Sequence, residues 1–491
     1  MKRTLALVLA AALALPLAAC GGGSLTLETA TGEQSATGTA PTAETKGVHD
    51  AAGFSAGVGR ADITPAISVP LGGYGNSLNR MSTNVRDPLY CTCLAIRDGD
   101  GNAMLVFHFD MCVIWDDFGE AIRNRLEKAV GISRDHVLLN ATHTHSAPDG
   151  GTADESIVTW RGQVYRAAEQ AAKDALADLD ACTVSVGTTK TDRLNFVRRY
   201  YLENGFASPQ GDYGTGEITG YESEVDEEMR VLRFARKNQK DIIVANWQCH
   251  FTSTGGGSKT DLSADLVGAL RKHTEEELGA YFLYLQGGAG NINLSTRIEG
   301  DARFRYNETK NLGDALFAHL KDALADMKEA ATGTVRCASA TFIAPRNHDG
   351  EDKLEEAKEI TALKNANQWD EARALCEKYG ISSPYEASSI VSRVGKPAEG
   401  EIEVSCFAFG DVCLAAAPFE MFCQTYRDLR AASPFAFTLT CGYSNANQGY
   451  MPAAECFPHK GYEVAVCQYV QGTAEQISAK QLDLLGELKA K

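Results

Sequence analysis

Apolar and polar positions along the chain switch between two periods, and each switch marks an element. Ala103 to Trp115 is a strongly apolar run carrying Val106, Phe107, Phe109, Val113 and Ile114, which predicts a buried strand. Glu120–Val130 takes up helical spacing, and His136–Asn140 predicts another strand. Gly162–Leu179 reads as an Ala-rich amphipathic helix. Further strands are expected at 182–188, 230–235, 241–249, 280–285, 403–408, 411–417 and 435–441, with helices near 263–278, 309–327 and 422–431. A charged helical segment at 353–380 reads as a surface insertion rather than core. This alternation predicts an α/β (mixed α+β) fold: a single large domain over 51–491 with a central sheet flanked by helices.

The first fifty residues follow another pattern. Lys2 and Arg3 precede the apolar run Leu5–Leu17, which has signal-peptide length and is too short to span a bilayer as a mature helix. The run ends in Leu17-Ala18-Ala19-Cys20, the pattern of a bacterial lipoprotein signal, where cleavage leaves Cys20 to be acylated. Residues 1–20 are therefore expected to be a lipoprotein signal peptide. The mature chain would be exported and held by lipidated Cys20 at the extracytoplasmic face of the cell membrane or outer membrane. Residues 21–50 open on three glycines and lack the large apolar residues a core needs, which predicts a flexible tether.

Composition narrows the partners. A formal charge of −17 argues against nucleic acid, or an anionic membrane surface, as the main partner. There are fourteen cysteines without a C-x-x-C pair, and several sit inside apolar runs such as Met111-Cys112-Val113. Those are expected to be small core residues rather than metal ligands. No feature of the sequence fixes the oligomeric state.

The polar residues that can carry chemistry follow the predicted strands, the edge where α/β sheets bind ligands. His143 and His145 follow the strand ending at Asn140, and His250 follows 241–249. Gln286–Asn293, Glu420 and Tyr450 each come after a later strand. On an extended chain the two imidazoles of Thr142-His143-Thr144-His145 project to one face. One of them can bind a metal while the other handles protons or holds substrate. Glu420 can add a carboxylate, and the glycine-rich turn at 286–290 can present backbone N–H groups to an oxyanion. No nucleophile elbow of the G-x-S-x-G kind is expected, which disfavours a metal-free serine hydrolase.

In chain order, Gly57–Pro65, Leu71–Gly75, Thr142–Pro148, Gly287–Asn293, Pro418–Glu420 and Gly461–Glu463 resemble the neutral (non-lysosomal) ceramidase family over almost the whole folded chain. The resemblance implies a catalytic domain at 51–491 with a Zn2+ site made of His143, His250, Glu420 and Tyr450. It implies His145 beside the metal as a proton-handling or substrate-contacting residue, Arg198 (with Arg199 as rival) near the substrate carbonyl, and Asp265 in support. The implied reaction is hydrolysis of an N-acyl amide bond by metal-activated water, in a ceramide-like or other N-acyl lipid or another small amide. Two departures stand out. The place of the family's active-site serine falls on Asn293, which can donate a hydrogen bond but cannot accept an acyl group. The chain also ends soon after the tyrosine region, so the family's immunoglobulin-like C-terminal domain is not expected. Both bear on ceramide as substrate more than on hydrolysis. The alternatives are a metal hydrolase of a different amide or ester, such as a glycan or cell-wall N-acyl group, and a surface-anchored binding protein without turnover.

Overall fold

The computed structural model describes residues 53–75, 77–208, 211–212, 216–254, 259–294 and 309–490. The expected signal peptide, Cys20 and the tether lie outside them. Nine strands build a first sheet: β1 (Ser55–Asp62), β2 (Tyr90–Arg97), β3 (Ala103–Phe109), β4 (Val137–Ala141), β5 (Asp180–Lys190), β6 (Glu228–Arg236), β7 (Ile242–Trp247), β8 (Tyr281–Gln286) and β9 (Lys328–Ala330). Their order is β8-β7-β6-β5-β1-β2-β3-β4, with β9 also on β5. A second sheet holds β10 (Val335–Pro345), β11 (Glu399–Phe409), β12 (Val412–Ala416) and β13 (Phe437–Cys441) in chain order. The main helices are α1 (Asp116–Val130), α2 (Glu155–Ala177), α3 (Asp265–Glu277), α4 (Thr309–Ala325), α5 (Leu354–Asn365), α6 (Trp369–Tyr379), α7 (Pro384–Arg393), α8 (Cys423–Ala432), α9 (Tyr462–Ala465) and α10 (Thr473–Ala490).

Strand alternation divides the apolar residues between cores. Cys91, Cys93 and Ala95 of β2 pack with α1 and α2, while Leu94 and Ile96 join the core shared with Phe407 and Phe409 of β11. Cys406 and Ala408 of β11 turn the other way, towards α8 and α10. The fold is thus a mixed α/β one with a large sheet flanked by helices. A second sheet lies face to face with the first. Local chemistry sets the element ends. The Asp154 carboxylate caps α2 by accepting from Ser156 N–H at 2.9 Å, so the helix begins at Glu155 rather than Gly162. The apolar run at 103–115 is strand only to Phe109. Asp110 ends it because its buried carboxylate turns to pair with Arg271 and His108.

Three strand–helix–strand units position the site. β3–α1–β4, β7–α3–β8 and β12–α8–β13 each flank a helix with parallel strands, so both strands of a unit end at the same edge. Buried amides tie these edges together. Asn140 Oδ1 accepts from Gln286 N–H at 2.7 Å, and its Nδ2 donates to Gly442 O at 2.7 Å. Asn246 Nδ2 donates to Leu285 O and Thr440 O, both at 2.9 Å. The charged segment expected at 353–380 forms α5 and α6 and continues through α7, with its own small core of Ala357, Ile360, Ala372, Cys376 and Ile390. Among the described residues no helix is long and apolar enough to cross a membrane, and no disulfide forms.

Candidate metal centre

His143 stands two residues past β4 with φ 64°, in the left-handed region. That turn, and not the expected strand periodicity, sets its ring against His145, with the two Nε2 atoms 3.1 Å apart. A non-glycine residue pays on the order of 1–3 kcal/mol for such a conformation. The local bonds offset it: His143 N–H donates to Met111 O, and His143 Nδ1 to Cys112 O, each at 2.9 Å. With Nδ1 committed as donor, Nε2 keeps its lone pair. The same logic holds at His250, whose Nδ1 lies 2.9 Å from Ala289 O and 3.0 Å from Ile292 O.

Both lone pairs face Glu420. Its Oε2 lies 3.5 Å from His143 Nε2 and 3.4 Å from His250 Nε2, and Tyr450 Oη is 3.2 Å from His250 Nε2. Glu420 and Tyr450 are partners in a two-residue parallel ladder, so the backbone fixes both together. Gly290 lets the glycine-rich turn press on that ladder, since a Cβ there would sit 2.3 Å from Glu420 O. Burial drives the His143 pKa down to about 3 and that of His250 well below 6.5, and it raises the Tyr450 phenol. Two neutral imidazoles therefore turn lone pairs to one carboxylate oxygen, with ligand atoms all within 4.8 Å of one another. A cation placed among these atoms would be met by both lone pairs and the carboxylate oxygen. The donor set of two nitrogens, a carboxylate and a phenol fits Zn2+.

His145 lies beside this cluster and not in it. Among the described residues its Nδ1 is buried without a hydrogen bond, and its ring packs edge-on against Tyr74 at 4.8 Å. A second grouping of Cys112, His143 and His145 shares the His143 ring. Burial raises the Cys112 thiol well above its usual value, which makes it the poorer ligand.

The two candidate arginines part company. Arg198 enters the site, donating from Nη2 to Tyr450 Oη at 3.1 Å and Gly290 O at 3.0 Å, and from Nη1 to Asn293 Oδ1 at 3.2 Å. Arg199 turns away to Glu222 and to the carbonyl of Lys460. Glu463 bridges the pair, with Oε1 2.8 Å from Arg198 Nε and Oε2 2.9 Å from Arg199 Nη1. Asn293 spends its oxygen on Arg198, which leaves its NH2 as the donating half. Asp265 does not join the cluster. At φ 54° it accepts from Ser253 Oγ at 2.6 Å and Thr254 N–H at 2.7 Å, anchoring the loop after His250.

Sequence reasoning passed over Tyr443, Tyr462 and Glu463 as site residues. Tyr443 Oη donates to Glu420 Oε2 at 3.3 Å, and the Tyr462 ring packs against Tyr450 at 5.4 Å. Only Gly461-Tyr462-Glu463, already notable as a motif, carried a signal. The elbow expectation needs correcting: Gly53-Phe54-Ser55-Ala56-Gly57 does spell G-x-S-x-G. It forms no elbow, because Ser55 lies within β1, paired with Arg97 and Ala181, and its hydroxyl donates to Arg97 O.

Residues 54–287 match the family described as neutral/alkaline non-lysosomal ceramidase, N-terminal. That stretch contains His143, His145, Arg198 and His250, while Asn293, Glu420 and Tyr450 lie past its end. The neutral ceramidase of Drosophila melanogaster is 24% identical over 46% of this chain and 32% of its own length. That of Pseudomonas aeruginosa is 25% identical over 56% of this chain and 43% of its own. The matched stretch thus spans less than half of either relative. The crystal structure of the P. aeruginosa neutral ceramidase superposes with a TM-score of 0.68 at 19% identity, over 89% of this chain and 75% of that one. A ceramidase complexed with C2 gives 0.67 at 17% identity over the same shares. The chain is accordingly similar to the neutral/alkaline non-lysosomal ceramidases, in sequence over 54–287 and in fold over most of its length.

Proposed function

We propose that the protein is a Zn2+-dependent hydrolase of N-acyl amide bonds in lipids of the ceramide type, anchored outside the cytoplasm through lipidated Cys20. The convergence of His143, His250, Glu420 and Tyr450 with Arg198 carries the reading, and the kinship with proteins named neutral ceramidase supports it. Zinc, when bound, supplies a Lewis acid and a water acidic enough to act near neutral pH. The Arg198 guanidinium, held by Glu463, donates to the substrate carbonyl, and the Asn293 NH2 adds a second donor. One such donor is commonly worth about 3–4 kcal/mol. His145, next to His143, would take up the proton that the attacking water loses and pass it to the leaving amine. No step asks for a serine, which suits Asn293. The leader pattern of residues 1–20 alone supports the anchoring.

A second reading, a metal hydrolase of another amide or ester such as a glycan or cell-wall N-acyl group, draws on Asn293 in the serine's place. Zinc-loaded protein tested on long-chain N-acyl lipids, ceramide among them, and on short N-acyl amides separates the two. Cleavage of the long-chain lipids, abolished in His143→Ala, is expected. Cleavage of short acyl groups alone would transfer the case to the second reading. A chain that neither holds metal nor turns over any amide would be a binding protein.

A further inference from the structure

The hairpin after β1 is unusually apolar for an exposed element. Residues 67–85 hold five of the eleven large apolar side chains exposed among the described residues: Ile67 (53%), Tyr74 (39%), Leu78 (56%), Met81 (36%) and Val85 (46%). The hairpin is well held. Pro70 and Met81 are bridge partners, Leu71 N–H donates to Arg80 O, and Val69 and Leu71 are fully buried beneath it. Arg80 donates to the carbonyls of Gly72, His145 and Lys259, and its guanidinium lies 4.7 Å from the Tyr74 ring centre. Tyr74 in turn packs on His145, and the approach is close enough that a Cβ on Gly73 would lie 2.5 Å from His145 Cγ. The exposed apolar side chains therefore sit on a rigid element that touches the metal centre.

Charge identifies what covers it. From Ile63 to Arg86 there is no aspartate or glutamate, and there are two arginines, in a chain of net charge −17. The hairpin itself thus carries no carboxylate to repel phospholipid headgroups, and the adjoining Asp261 carboxylate accepts from Asn84 Nδ2 at 3.3 Å. Exposed aliphatic side chains with a tyrosine at their border suit the interface of a bilayer. An exposed apolar cluster of this kind marks an interaction site.

We infer that hairpin 67–85 is a bilayer-docking element that inserts Ile67, Leu78, Met81 and Val85 into the headgroup–acyl boundary and seats the metal centre at the membrane surface. The use made of this docking, access for a lipid amide, rests on the proposed function; the insertion itself does not. Full-length Leu78→Trp protein is mixed with phosphatidylcholine vesicles containing dibrominated acyl chains, with the parent chain as baseline. A blue shift and bromine quenching beyond the parent are expected. Ile67→Ser/Leu78→Ser should lower the rate on a vesicle-embedded N-acyl amide by roughly tenfold, with the rate on a water-soluble short amide and the unfolding temperature unchanged. Absence of quenching beyond the parent overturns the inference. So does a blue shift without bromine quenching in a protein that sediments as a dimer, which would assign the surface to a second copy of the chain. If no amide is turned over, the proposed function fails, and the quenching still decides the docking.

Discussion

At Arg198 and Arg199 two identical side chains, adjacent in sequence, acquire opposite tasks. The sequence left them as rivals, because nothing local distinguishes them. Their partners do: Arg198 faces Tyr450 and Asn293, and Arg199 is fully buried against Glu222 and Glu463. Arg198→Lys removes the planar fork and should lower kcat about 10²–10³-fold with zinc content unchanged, read by steady-state kinetics and metal analysis. Arg199→Lys should instead lower unfolding free energy by about 1–3 kcal/mol in urea titrations, since a single ammonium cannot match the fork and leaves buried carboxylate oxygens of Glu222 and Glu463 without a donor. Equal kinetic losses in both variants would undo the division. The H-x-H motif was legible in a different way. Its spacing drew attention to His143 and His145, but the left-handed turn at His143, invisible in the sequence, aims only that ring at Glu420.

At the scale of elements, the strand-end positions of the chemistry were legible because apolar runs end where polar residues take over. The ties between strand–helix–strand units were not, since each joins residues more than a hundred apart. One tie lies in β3 and the turn after it. Tyr284 N–H of β8 donates to His108 Nδ1 at 2.9 Å, so His108 Nε2 donates to Asp110, which also pairs with Arg271. Burial alone would raise the Asp110 pKa, but Arg271 and then His108 hold it down to about 2. A depressed carboxylate stabilises the fold fully above its unfolded value of about 3.9, and the contribution is lost as pH falls towards 2. Asp110→Asn should therefore destabilise the protein by about 3–5 kcal/mol at neutral pH, because it also strands a buried arginine. In urea titrations the gap between variant and parent should narrow from about pH 4 downward; a gap constant with pH would remove Asp110 as its source. A second element-scale outcome concerns the glycine-rich turn. Gly290→Ala pushes on Glu420 O and should weaken zinc binding about 10–100-fold, the range for disturbed support of metal ligands, as read by competition with a chelator.

Over the whole molecule, the helical excursion between β10 and β11 stands out for a core of its own and a specific contact with the site. Its two ends meet: Pro345 and Glu399 are register partners, and Arg346 N–H donates to Ala398 O at 2.9 Å. Its helices fill a core of their own, and charged, short-period helices of this kind were legible in the sequence as something apart. Their reach was not. Tyr385, at the start of α7, packs edge-on against Tyr462 at 5.3 Å, Tyr462 against Tyr450 at 5.4 Å, and Tyr450 stacks with His250. Trp369 of α6 extends the same row, 5.7 Å from Tyr385. A row of aromatic rings thus leads from the excursion to the metal centre, an arrangement suited to an apolar substrate chain. Replacing residues 348–396 with an Asn-Gly turn should close the β10–β11 hairpin without strain. The unfolding temperature should stay within roughly 5 °C of the parent, and zinc should remain bound. KM for a long-chain N-acyl amide should rise about tenfold or more as the outer rings are lost, while kcat/KM on a short-chain amide should hold. Equal losses on both substrates would mean that the excursion supports the site itself and not the chain lying along it.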